Sequence, residues 1–106
     1  MGEAGLVVSS MVRKTLNGKW ELLLPKHRTC GDMWVRWEPD RLDAMHEAIK
    51  PGDVVFDIGT EEGDMSALFA LWGADTVLIE PDPLVWPNVK AIWDVNGLPT
   101  PLAHFV

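Results

Sequence analysis

Residues 53–80 read DVVFDIGTEEGDMSALFALWGADTVLIE, and the order of patterns within them sets the fold class. Asp53 to Ile58 is a short apolar run rich in β-branched side chains. It predicts a strand buried on both faces, as in a parallel sheet. Gly59 to Gly63 predict a tight loop. Asp64 is placed to cap a helix, and Met65, Leu68, Phe69 and Trp72 form one stripe on it. Gly73 ends that helix. Thr76 to Ile79 repeats the buried-strand pattern and closes at Glu80-Pro81. Strand, helix, strand is a unit that winds right-handed and lays its helix on a parallel sheet.

The pattern continues downstream. After the Asp82-Pro83 turn, Val85, Val89, Ile92 and Trp93 share a helical face, and Asn96-Gly97 is a left-handed stop. Leu102 to Val106 begins a third apolar run. Trp72 and Trp93 are expected in the core, since aromatic side chains favour buried contacts. Upstream, Pro39-Asp40 opens a helix carrying Leu42, Met45 and Ile49, and Pro51-Gly52 stops it. Residues 1–38 are different in kind. Asn17-Gly18 between two extended runs is a strong hairpin signal, because both turn positions need positive φ. A two-residue turn there sets Leu16 opposite Lys19, Thr15 opposite Trp20 and Lys14 opposite Glu21. Trp20, Leu22 and Leu24 then share a face with Met11, which must pack on something, since a lone hairpin is marginal. The chain thus divides into a hairpin and loop, 1–38, and an α/β part, 39–106.

Composition narrows the function classes. The 106 residues carry 9 basic and 16 acidic side chains, a net charge of −7. With no basic stripe, nucleic acid is not expected as a partner. No stretch approaches the roughly 20 apolar residues of a membrane span, and the first residues lack the pattern of a secretory leader. The single cysteine excludes an internal disulfide and suggests a reducing, cytoplasmic location.

The chemistry gathers where the first two parallel strands end, the usual place for a ligand in an open α/β sheet. The loop Asp57-Ile58-Gly59-Thr60-Glu61-Glu62-Gly63 follows the form D-x-G-x-x-x-G. Gly59 allows close approach to the backbone, and Gly63 lets the chain turn into the helix, whose free N–H groups favour an anion. Glu80 ends the second strand, where a carboxylate can accept from both hydroxyls of a ribose. The dinucleotide fingerprint G-x-G-x-x-G lacks its first glycine here, Asp57 standing in its place, which disfavours a nicotinamide enzyme. Asp57, Glu61, Glu62 and Asp64 would also repel a pyrophosphate. A positively charged nucleoside without phosphate suits them better, and S-adenosylmethionine (SAM) is such a molecule. Glu61 and Glu62 read equally well as solvated loop charges.

Residues 52–98, GDVVFDIGTEEGDMSALFALWGADTVLIEPDPLVWPNVKAIWDVNGL, resemble the cofactor half of the FkbM family of SAM-dependent methyltransferases. The shared features are the glycine-bearing first loop, a strand ending in Glu80-Pro81 and a helix ending in Asn96-Gly97-Leu98. The steps Gly63-Asp64-Met65 and Val85-Trp86-Pro87-Asn88, with LNGKWELLLP upstream, are similar to versions encoded by phages of actinobacteria. Thr60-Glu61 departs from the Ala-Asn of many relatives. The resemblance implies a Rossmann-like half-sheet of parallel strands in the order 3-2-1, preceded by the hairpin and a helix. It implies SAM held by Asp57, Gly59, Thr60, Glu61, Gly63, Glu80 and Pro81, and a sugar or small natural product as methyl acceptor. The family's seven-stranded sheet runs 3-2-1-4-5-7-6, so residues 54–58 would form a bare edge. A longer polypeptide, a second polypeptide, the hairpin or a second copy of the chain would have to cover it. The alternative function is a non-enzymatic or incomplete SAM-binding or assembly subunit.

Other constellations are weaker. His27-x-x-Cys30-x-Asp32 lacks a second pair of ligands at metal spacing, and Cys30 lacks a base. His46, on the helix 40–50 beside its apolar stripe, reads as a residue at the boundary of the core, and His104 as a polar residue of an edge strand in preference to one lining the acceptor side. Trp34, Arg36 and Trp37 read as a seam between the two parts. No catalytic base is identifiable.

Overall fold

The turn at Asn17-Gly18 forms as its chemistry demands. In the computed structural model, which describes residues 11–28 and 36–105, the two residues have φ of 53° and 71°. They join β1 (Met11–Leu16) to β2 (Trp20–Pro25) in an antiparallel hairpin. The register differs by one residue from the expected one. Leu16 faces Trp20, Thr15 faces Glu21 and Lys14 faces Leu22. Lys19 is a third loop residue, and its N–H donates to the Leu16 carbonyl at 2.9 Å. Burial decides this. The observed register puts Val12, Lys14 and Leu16 on the face of Leu22 and Leu24, whereas the shifted one would turn Arg13 and Thr15 inward and Leu16 outward. Leu16, Leu22 and Leu24 are at most 1% exposed. The charge pair is accordingly Arg13–Glu21, a diagonal contact at 2.8 Å, and not Lys14–Glu21.

A short 3-10 turn, Lys26–Arg28, follows the hairpin, and α1 (Pro39–Ala48) begins at the expected proline. Leu42 is buried, with Met45 and Ile49 packed at the margin of the core. The remaining elements are β3 (Val54–Ile58), α2 (Asp64–Leu71), β4 (Asp75–Ile79), a 3-10 turn at Pro83–Val85, α3 (Trp86–Asn96) and β5 (Ala103–Phe105). The three strands form one parallel sheet in the order β3-β4-β5. The molecule is therefore mixed α/β, with β3 at a sheet edge.

β3 is not buried on both faces. Val54, Phe56 and Ile58 are exposed, while Val55 packs against the core. The cause is topological. The strands advance in one direction, so both crossover helices lie on one side of the sheet, over Val55, Thr76 and Leu78. On the other side the edge strand stays exposed, whereas Val77 of the central β4, flanked by both neighbours, is 6% exposed.

The hairpin does not cover the β3 edge either. It forms a separate two-stranded sheet lying on α2 and α3. Leu16, Leu22 and Leu24 share one cluster with Leu42, Leu68, Leu78, Ile92 and Trp93, so the core does not divide at residue 38. Fully burying each such leucine contributes about 1.5–3 kcal/mol. Asn96 adds a polar clamp. Its side-chain carbonyl accepts from the Leu23 N–H at 2.8 Å and its amide donates to the Leu23 carbonyl at 2.8 Å. Trp72 and Trp93 are both buried as expected. Trp72 closes the seam by packing on Trp20 of the hairpin and His46 of α1, with ring centres 5.1 and 4.9 Å apart.

Candidate functional site

The parallel pairing of β3 and β4 places their carboxyl ends side by side, and the backbone locks them there. The Ile79 carbonyl accepts from both Gly59 N–H, at 2.8 Å, and Thr60 N–H, at 3.1 Å. The loop after β3 thus starts directly over the end of β4. Thr60 is buried, its hydroxyl donating to the Asp57 carbonyl at 3.0 Å, and its own carbonyl accepts from Gly63 N–H at 3.0 Å. Positive φ recurs at Gly59, Glu61 and Gly63, at 79°, 54° and 88°. Gly59 faces open space, since a Cβ there would meet no atom within 4 Å. Gly63 is tight: a Cβ would come within 3.1 Å of Val89 on α3.

Glu80 is 7% exposed. One carboxylate oxygen accepts from Glu61 N–H at 2.7 Å and the other from Asp82 N–H at 3.0 Å. It therefore bridges the two loops, with lone pairs still available on its oxygens. Pro81 is exposed beside it. Asp57 is half-buried and accepts a hydrogen bond from the Ser66 hydroxyl in the first turn of α2. Burial pushes its carboxyl above the ordinary aspartate range. The Ser66 bond opposes the shift, Asp64 and Glu61 add to it, and Arg41 opposes it.

Asp64 is not the cap of α2. Gly63 holds that position, and Asp64 is the first helical residue, buried, with its carboxylate accepting from Met65 N–H at 3.1 Å. The helix start expected to attract an anion therefore already holds a carboxylate. Glu62 is a tie and not a solvated loop charge. One of its oxygens meets His27 Nε2 at 2.6 Å and Asn88 Nδ2 at 3.2 Å. It joins the hairpin side to the first turn of α3.

The seven expected site residues thus lie together at the carboxyl ends of β3 and β4: Asp57 within β3, the other six on the loops that follow the two strands. Ser66, Asn88 and His27 join them without any signal in the sequence, because contacts between distant side chains leave no periodic trace. A cavity of about 670 Å³ lies elsewhere, along α3 and β5, lined by Trp86, Trp93 and His104 among others. None of the seven residues lines it. His104 packs its ring on Trp86 at 5.0 Å. Cys30, Asp32 and Trp34 lie outside the described residues. Arg36 is exposed, and Trp37 is held at the seam by the Asn17 side chain. Among the described residues no group of three potential metal ligands occurs. No described helix is long and apolar enough to cross a membrane. No family model matches the sequence, and no curated protein matches it.

Proposed function

We propose that this chain is the methyl-donor part of a SAM-dependent methyltransferase of the FkbM type, built on a Rossmann-like half-sheet. The observation carrying the reading is the bond from Glu61 N–H to Glu80. It brings the glycine loop of one parallel strand onto a buried carboxylate at the end of its neighbour. The residues fit two parts of SAM. Glu80 has lone pairs left for the ribose hydroxyls, and the open space over Gly59 admits a ligand to the backbone. Asp57 and Glu61 supply negative charge for the ammonium and sulfonium. Thr60 and Gly63 hold the loop in shape, and Pro81 sets the chain's exit from Glu80. The carboxylate of SAM finds no welcome at the start of α2, where Asp64 stands, and is directed away from it.

SAM would supply a methyl group activated by its sulfonium for in-line transfer to an acceptor oxygen. The chain's own contribution is positioning, the dominant factor in such a transfer. The acceptor is a hydroxyl of a sugar or small natural product, and the setting is cytoplasmic, in the host cell for a phage-encoded version. One observation favours the second reading, an assembly subunit or incomplete enzyme: the apolar face presented by Val54, Phe56 and Ile58.

Calorimetric titration with SAM and with NAD tests the proposal. SAM binds, and Glu80→Ala and Gly59→Val abolish binding; NAD binding in its place overturns the reading. Transfer of labelled methyl to a panel of simple sugars then separates an enzyme from a subunit that only binds.

A further inference from the structure

Parallel partners in register point to the same side of a sheet. Val54, Phe56 and Ile58 therefore share a face with Asp75, Val77 and Ile79, and these with Ala103 and Phe105. Seven of those eight residues are apolar, and Asp75 stands at the amino-end rim. Val54, Phe56, Ile58 and Phe105 are 54%, 62%, 77% and 55% exposed. With large side chains contributing about 150–250 Å² each when bare, this face leaves on the order of 500 Å² of apolar surface to water. That is at the upper end of what single soluble chains expose.

From this face we infer that the protein forms a homodimer in which two copies stack sheet on sheet about a two-fold axis. Area and shape select a second copy, and charge sets its orientation. Two such faces remove about 1,000 Å² from water, the threshold of a specific interface, so the dimer is weak and concentration-dependent. The shape is suited to stacking, since interdigitating side chains of two facing sheets fill a layer about 10 Å thick. Each chain carries a net charge of −7, and Asp57, Glu61, Glu62 and Glu80 gather at the carboxyl ends of the strands. Antiparallel stacking sends those two acidic ends to opposite poles of the dimer, and the single Asp75 of each copy at the rim beside the partner's carboxyl end is the only charge on the face to oppose it. Pairing the bare β3 edges instead would set two open faces side by side and double the exposed apolar surface. Stacking removes it. The dimer does not depend on what the loops bind.

Sedimentation equilibrium of the full chain, from low-micromolar to near-millimolar concentration, tests this. The wild-type chain passes from monomer to dimer, more readily in ammonium sulfate, which strengthens apolar burial. Phe56→Lys and Phe105→Lys, on the two outer strands of the face, remain monomeric throughout with unchanged far-ultraviolet circular dichroism. Ile58→Thr, which adds no charge, weakens association without abolishing it. A wild-type chain that stays monomeric over the whole range overturns the inference. So does a dimer that survives Phe105→Lys, since that residue lies away from the β3 edge.

Discussion

Asp57 shows how a single carboxyl couples burial to pH. Its folded form holds its proton more tightly than the ordinary value of 3.8, with desolvation the largest cause. Between that value and its folded pKa the native chain binds more protons than the unfolded chain, so this group's contribution to stability falls as pH rises. Asp57→Asn removes the penalty. The variant is expected to be more stable than wild type at neutral pH, and the difference should shrink to nothing as pH falls below the aspartate range. Paired denaturant titrations across pH measure it, and a difference independent of pH would contradict the assignment. Gly63 is constrained twice, by φ of 88° and by the 3.1 Å approach to Val89. Gly63→Ala should cost about 2–4 kcal/mol, combining a left-handed alanine with overpacking. In a Val89→Ala background the packing part disappears and the cost should fall, as a double-mutant cycle would read.

At the scale of elements, the asparagine at the end of α3 governs how the hairpin docks. Asn96→Ala strands the N–H and carbonyl of Leu23, a loss of about 1–3 kcal/mol for buried groups left unpaired. Hydrogen exchange at the Leu23 amide should accelerate more than exchange in β4. Equal acceleration in both would mean that the clamp stabilises the whole fold and not this junction. The same asparagine marks a limit of sequence reading. Asn96-Gly97 is legible as a helix stop, and Gly97 takes φ of 63° as that role requires. The clamp is not legible, because its partner is backbone 73 residues away. The hairpin divides similarly. Asn17-Gly18 names the turn but does not count its loop residues, so the register waits on which side chains find a core. VVFDI reads the same whether one face of its strand or both are covered, and only the placement of both helices on one side decides. In the loop, Gly59 and Gly63 announce their backbone needs. Glu61 adopts φ of 54° with nothing in its side chain to favour it.

At the scale of the molecule, one apolar cluster threads the hairpin, the helices and the helix-facing side of the sheet. Leu22 is 1% exposed within it. Leu22→Ala should cost about 2–5 kcal/mol, the range for truncating a buried leucine. For a domain of this size that lowers the midpoint of thermal unfolding by roughly 4–8 °C per kcal/mol. Because the cluster crosses the layers, tryptophan fluorescence and far-ultraviolet circular dichroism should lose signal together. Separate transitions would show that the hairpin melts on its own.

The edge-on meeting of Trp20 and Trp72, 5.1 Å between ring centres at 64° between planes, has an optical consequence. Two indoles so close and so inclined couple their electronic transitions. The chain should therefore carry a bisignate near- to mid-ultraviolet band whose sign reports the handedness of the pair. Its amplitude depends on the hairpin staying seated, so the protein has a built-in spectroscopic ruler for that one joint, readable without any label.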